Sequence, residues 1–146
     1  VVDSAVSMVA PLAATKGLEL VTEVEPTIGR MVGDSRRVGQ VLLNLLSNAV
    51  KFTERGGARI TADADAVRVK FAVEDSGIGI DESNIPLLFV PFQQLDSGLA
   101  RSHEGTGLGL AISQRLIDMM GGSIEVRSQL GVGSVFEVSV PRSQDT

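Results

Sequence analysis

His103-Glu104-Gly105-Thr106-Gly107-Leu108-Gly109-Leu110 places three alternate glycines directly before a helical pattern that runs on to Met120. Glycine lets backbone N–H groups approach a ligand with no Cβ in the way. A helix start behind such a stretch adds unpaired N–H donors and the positive end of the helix dipole. The combination suits phosphate. Gly-rich turns before helices are common, so the reading depends on whether other segments converge on the same ligand.

The 146 residues suit one domain, 1–146, with a core large enough to need no staple. Hydrophobic residues make up 43% and charged residues 21%, ordinary proportions for a globular protein. Phe supplies all of the 3% aromatics, so the core must rest on Val, Leu, Ile and Ala. With no cysteine there is no disulfide or thiolate metal site. No apolar run approaches the ~18 residues of a membrane helix, and no signal peptide is present, so a cytoplasmic location is expected. The first residue is Val, from which a fragment of a longer parent is expected, the parent's membrane anchoring being left open. A net charge of −5 argues against nucleic acid as a partner and requires specific cations beside any polyphosphate.

Upstream of the glycines, residues 2–16 read as a helix with Val2, Val6, Val9, Leu12 and Ala13 at helical spacing, kinked at Pro11 and ended by Gly17. Leu18–Val24 reads as a strand, and Pro26 and Gly29 as a loop. The longest helix starts at Asp34 or Ser35 and runs to about Phe52, with Val38, Val41, Leu42, Leu45, Leu46 and Ala49 as its apolar stripe. At about 100° per residue, Asn44, Asn48 and Lys51 share an arc of roughly 60° beside that stripe. Taken alone they read first as a solvated polar face.

Arg59–Asp63 and Val67–Glu74 read as a hairpin turning near Asp65, with Val67, Val69, Phe71 and Val73 on one face. Asp75 continues that odd-numbered series toward the buried side, where a carboxylate needs donors. It could instead cap its own turn through Ser76-Gly77. Asp81 caps a short helical turn ending near Phe89. Residues 91–105 form a long polar loop that could act as a lid. The helix after the glycines is expected to bury Leu108, Ala111, Ile112, Leu116, Met119 and Met120, and to stop at Gly121-Gly122. Ser123–Ser128 and Ser134–Val140 read as strands around Gly131-Val132-Gly133, with Ile124, Val126, Phe136, Val138 and Val140 facing the core.

Four separated signals thus stand in order: Asn44 to Thr53 with its Asn48 and Lys51, Asp75-Ser76-Gly77-Ile78-Gly79, Phe89-Val90-Pro91-Phe92, and Gly105 to Leu110. Together they resemble the catalytic ATP-binding domain of bacterial sensor histidine kinases, in the superfamily that also holds gyrase, heat-shock chaperone and mismatch-repair ATPases. The wording around Gln93-Gln94-Leu95-Asp96-Ser97 most resembles kinases of the hybrid type. No Gly-Lys-Ser/Thr is present for a P-loop, and the glycine spacing is not that of a dinucleotide fingerprint.

The resemblance implies an α/β two-layer sandwich: a mixed, mostly antiparallel sheet with helices on one face and a flexible ATP lid. It implies ATP and Mg²⁺ as ligands, with Asn48 on the metal, Asn44 assisting, and Lys51 facing the phosphates. Asp75 would accept from the adenine amino group, with Phe52, Gly77, Gly79, Ile80 and Phe92 around the base. Gly105, Thr106, Gly107, Leu108, Gly109 and Leu110 would form the phosphate clamp. Arg101 would reach the γ-phosphate from the lid, although it could be an ordinary exposed arginine. Phe89 and Phe92 would anchor the lid, or simply pack.

His103, the one histidine, is read as a lid residue and not as a phosphoacceptor. Asn44 stands where hydrolytic relatives usually carry a glutamate, and an amide cannot act as a general base. Two departures from the family pattern are Val90, where a polar residue is more usual, and Gln94, where many relatives have arginine. The implied partners are the phosphoacceptor helices of a homodimeric parent and a receiver domain or response regulator. The other reading is a regulatory nucleotide-binding or regulator-docking module without productive transfer.

Overall fold

The computed structural model describes residues 2–24, 35–53, 55–65, 67–80, 83, 85 and 109–141. They form α1 (Val2–Lys16), β1 (Glu19–Val24), α2 (Ser35–Lys51), β2 (Gly57–Ala64), β3 (Arg68–Asp75), α3 (Gly109–Met119), β4 (Ser123–Gln129) and β5 (Gly133–Pro141). The strands make a single sheet in the order β1-β2-β3-β5-β4. β1 runs parallel to β2, and the remaining pairs are antiparallel. The parallel pair needs a crossover, and α2 lies within it.

The core lies between one sheet face and the helices. α2 buries Val38, Val41, Leu42, Leu45, Leu46 and Ala49, the stripe that its 3.6-residue period predicts. From the sheet come Ala58, Ile60 and Ala62 of β2, Val69, Phe71 and Val73 of β3, and Phe136, Val138 and Val140 of β5. Ile124 and Val126 of β4 pack against them. The period-2 alternation sends Arg59, Lys70, Glu74 and Arg127 to the other, open face. The ion pairs Arg59–Glu23 (3.5 Å) and Arg127–Glu137 (3.7 Å) are largely exposed, and such pairs contribute little. Lys16 joins α1 to α2: its Nζ donates to the carbonyls of Val50 and Lys51 at 2.8 and 3.1 Å. A cation on those terminal carbonyls also complements the helix dipole.

Three expectations are corrected. Val67 does not share the face of Val69; it is 66% exposed, and β3 begins only at Arg68. The Asp65 carboxylate accepts from the N–H groups of Val67 and Arg68, so an Asx turn takes Val67 out of the strand. On α3, Ile112 and Met119 are exposed, while Ser113 and Ile117 are fully buried. Apolarity alone picks the wrong phase there, because the buried line includes a serine that hydrogen-bonds across to α2. Leu12 is likewise exposed, and Ala5, Val9 and Ala13 carry the buried face of α1. That helix continues through Pro11, which is itself exposed.

Candidate functional site

Asn48 of α2, Phe52 just beyond that helix, Asp75 at the end of β3, Ile80 beyond it, Leu110 of α3 and Ser134 of β5 meet around a narrow cavity of about 50 Å³. Ala49, Ile78 and Phe136 complete its largely apolar wall. Asn48 and Asp75 add an amide and a carboxylate to that lining, so a largely apolar body with a polar edge suits it.

Asp75 is the last residue of its strand, on the side of Val69, Phe71 and Val73. Its Oδ1 accepts the Gly77 N–H at 2.9 Å. Burial pushes its carboxyl pKa above the usual carboxylate value; the amides of Gly77 and Ser134 oppose this, and the neighbouring Glu74 adds slightly to it. Both readings of Asp75 therefore apply: it faces the buried side and also caps its own turn.

The two glycines after Asp75 are fixed by backbone packing. A Cβ on Gly77 would lie 2.4 Å from the Phe52 carbonyl oxygen. Gly79 has φ +73, and a Cβ there would lie 2.1 Å from the carbonyl oxygen of Gln129. The expectation that both simply leave room for a base is thus amended: Gly79 makes room first for the β4–β5 turn. Backbone bonds from Ile78 N–H to Phe52 O (3.2 Å) and from Gly131 N–H to Ile78 O (2.7 Å) hold the loop between helix and hairpin.

Asn44, one turn before Asn48, donates from Nδ2 to the Ser113 Oγ at 3.1 Å. It is half-buried between α2 and α3 and does not line the cavity. Lys51, the last residue of α2, is exposed and also does not line it. Gly109 is the first residue of α3, so the third glycine of the opening stretch begins the helix. Phe89, Phe92, Gln94, Arg101, His103, Gly105, Thr106, Gly107 and Leu108 lie outside the described residues.

Reading the sequence alone misses Ser113, Ser128 and Ser134. A signal for two of them existed, because Ser134 starts the series Phe136, Val138, Val140, and Ser128 continues Ile124 and Val126. A larger concavity of about 680 Å³ opens on the sheet between Arg59, Glu74 and Arg127. Of the predicted residues it carries Asp75 alone, and it shares only Asp75 and Ser134 with the narrow cavity.

Residues 33–144 match the model of the histidine kinase-, DNA gyrase B-, and HSP90-like ATPases. The chain belongs to this ATPase family. Its relatives include hybrid signal transduction histidine kinase B of Dictyostelium discoideum, 45% identical over 95% of this chain and 7% of that protein. Sensor histidine kinase RcsC of Escherichia coli is 44% identical over 90% of this chain and 14% of its own length. The chain thus spans a small part of these relatives. Among solved structures, full-length ShkA in complex with AMPPNP superposes with a TM-score of 0.87 at 37% identity, over 97% of this chain and 29% of that one. The catalytic domain of histidine kinase ThkA, nucleotide-free, gives 0.82 at 29% identity, over 97% and 91%. The α/β fold is that of histidine kinase catalytic domains, and in this ATPase domain the narrow cavity falls between the Asn48 helix and Asp75.

Proposed function

We propose that this ATPase-family domain binds Mg-ATP and donates the γ-phosphate to a histidine on a separate dimerisation domain of a two-component sensor kinase. The observation that carries this is Asp75. A carboxylate aimed into an apolar slot and held by two backbone amides suits a base with an exocyclic amino group. Phe52 and Ile80 supply the apolar walls.

The residues fit a metal-bound polyphosphate. Among the described residues no group of three His, Asp or Glu could hold a metal. A Mg²⁺ ion held by the Asn48 amide would take its other oxygens from phosphate and water. Bound there, it would neutralise phosphate charge and orient the γ-phosphoryl group. Asn44 assists one turn away, and Lys51 and Arg101 supply cations that the acidic chain otherwise lacks. The amides of Gly105 to Leu110 clamp the phosphates.

In transfer, the bond from the γ-phosphorus to the ADP oxygen breaks and a bond to the acceptor imidazole nitrogen forms. The imidazole proton leaves to a base outside this chain. Asn44 cannot take it, so the isolated domain is a poor ATPase. Residues 1–146 act as one domain on this reading, which the pairing of β1 with β2 supports. This reading carries with it a cytoplasmic location and a homodimeric parent that passes phosphate to a receiver domain or response regulator.

Calorimetry with ATP, with and without Mg²⁺, tests the reading. Absence of binding at millimolar ATP overturns it. Supplying the acceptor domain should give acid-labile phosphohistidine, absent in Asn48→Ala.

A further inference from the structure

Asp75, Ser134 and Ser128 stand in one row across three adjacent strands: Asp75 pairs with Ser134, and Ser134 pairs with Ser128. The Ser128 hydroxyl makes three contacts. Its Oγ receives the Ile80 N–H at 2.7 Å, lies 3.0 Å from the Gly133 carbonyl oxygen, and lies 2.7 Å from the Ser134 Oγ. A serine hydroxyl has one proton and two lone pairs. The Ile80 amide can only donate, and the Gly133 carbonyl can only accept. All three contacts are hydrogen bonds in one arrangement alone: Ser128 donates to Gly133, and Ser134 donates to Ser128. The Ser134 proton then points away from the cavity, and its lone pairs remain for whatever occupies the slot that Ser134 lines.

We propose that Ser128 is a specificity-positioning residue: by accepting the hydrogen bond from the Ser134 hydroxyl it leaves only acceptors, Asp75 and Ser134, facing the base in the slot. That pair then accepts the two N–H bonds of an adenine amino group, directly or through water, and repels the carbonyl oxygen that guanine carries at the same place. Ser128 touches no base itself. The inference rests on the nucleotide reading above and adds the device that sets its selectivity. Without the Ser128 hydroxyl, the Ser134 proton is free to turn into the slot and donate to guanine.

The test is the ratio of ADP to GDP affinity, measured by calorimetry on the 146-residue chain. Ser128→Ala should lower the ratio about 5- to 10-fold, the effect of one hydrogen bond, with GDP gaining. Ser128→Thr, which keeps a hydroxyl, should retain it. In a Ser134→Ala background, adding Ser128→Ala should not change the ratio further, because its route of action is gone. An unchanged ratio in Ser128→Ala, or a further fall in the double variant, overturns the proposal. Should Ser128→Ala fail to fold, Ser128→Cys carries the same test, since a thiol is a weak donor and acceptor and should lower the ratio; an unchanged ratio there overturns the proposal as well. A wild-type chain that binds neither nucleotide overturns the nucleotide reading and the proposal with it. A wild type that binds ADP while Ser128→Ala keeps its ratio overturns the proposal alone.

Discussion

The Asn44 Nδ2 donates to the Oγ of Ser113 across 3.1 Å, joining the helix of the candidate site to the helix behind the glycine stretch. Ser113 is fully buried, so this polar contact sits in the α2–α3 seam. A buried hydroxyl needs such a partner. The bond therefore fixes both the phase of α3 and the placement of the Asn44 amide.

Ser113→Ala should cost about 1 kcal/mol of stability. In a double-mutant cycle with Asn44→Ala, read by urea denaturation, the pair should show a coupling of about 0.5 kcal/mol or more. Strict additivity would show that the bond contributes nothing.

Asp75→Asn should weaken ATP binding roughly 10- to 100-fold, the range for hydrogen bonds to a charged group. The amide oxygen can still accept the Gly77 N–H, and a desolvated charge is removed. Thermal stability should therefore be unchanged or higher. Unaltered affinity in calorimetry would remove Asp75 from the site.

The raised pKa of Asp75 gives opposite pH trends for stability and binding. Burial raises the folded value above the unfolded one, so between the two the native state holds more proton than the unfolded chain. This group's contribution to stability thus improves as pH falls through the folded value and is lost as pH rises through it. Glu74, beside it, adds slightly in the same direction. Nucleotide binding runs the other way, because protonation turns an acceptor into a donor. ATP affinity should fall as pH drops through the raised value, and Asp75→Asn should lack that transition. Parallel profiles for the two proteins would contradict the assignment.

Gly79→Ala should lose about 2–4 kcal/mol of stability. The left-handed φ of +73 costs an L residue about 1 kcal/mol. The added Cβ would meet the Gln129 backbone, which cannot rotate aside. A denaturation midpoint equal to that of the parent would show that the loop relaxes freely.

Asn48→Ala should abolish the Mg²⁺ dependence of ATP binding and leave the fold intact, since the side chain is half-buried and lines the cavity. Calorimetry in magnesium and in a chelator separates the two effects. A magnesium response that persists in the variant would place the metal on other oxygens.

The sequence by itself determined the α2 stripe from Val38 to Ala49, the alternating strands and the inward side of Asp75. These are properties of local period, 3.6 or 2, and the buried side follows from where the apolar residues recur. The order of the four motifs pointed to the family, and two of them bring Asn48, Phe52, Asp75 and Gly79 to one cavity. Tertiary structure alone decided what depends on a distant partner. It put Ser113 inside and Ile112 and Met119 outside on α3, since the serine finds Asn44 across the seam. It took Val67 out of β3, since Asp65 captures its amide. It also showed that Gly79 accommodates the Gln129 carbonyl, and that Ser128 and Ser134 stand in line with Asp75. A hydrogen-bond partner dozens of residues away leaves no periodic trace in the chain, so register and crossing geometry had to supply it.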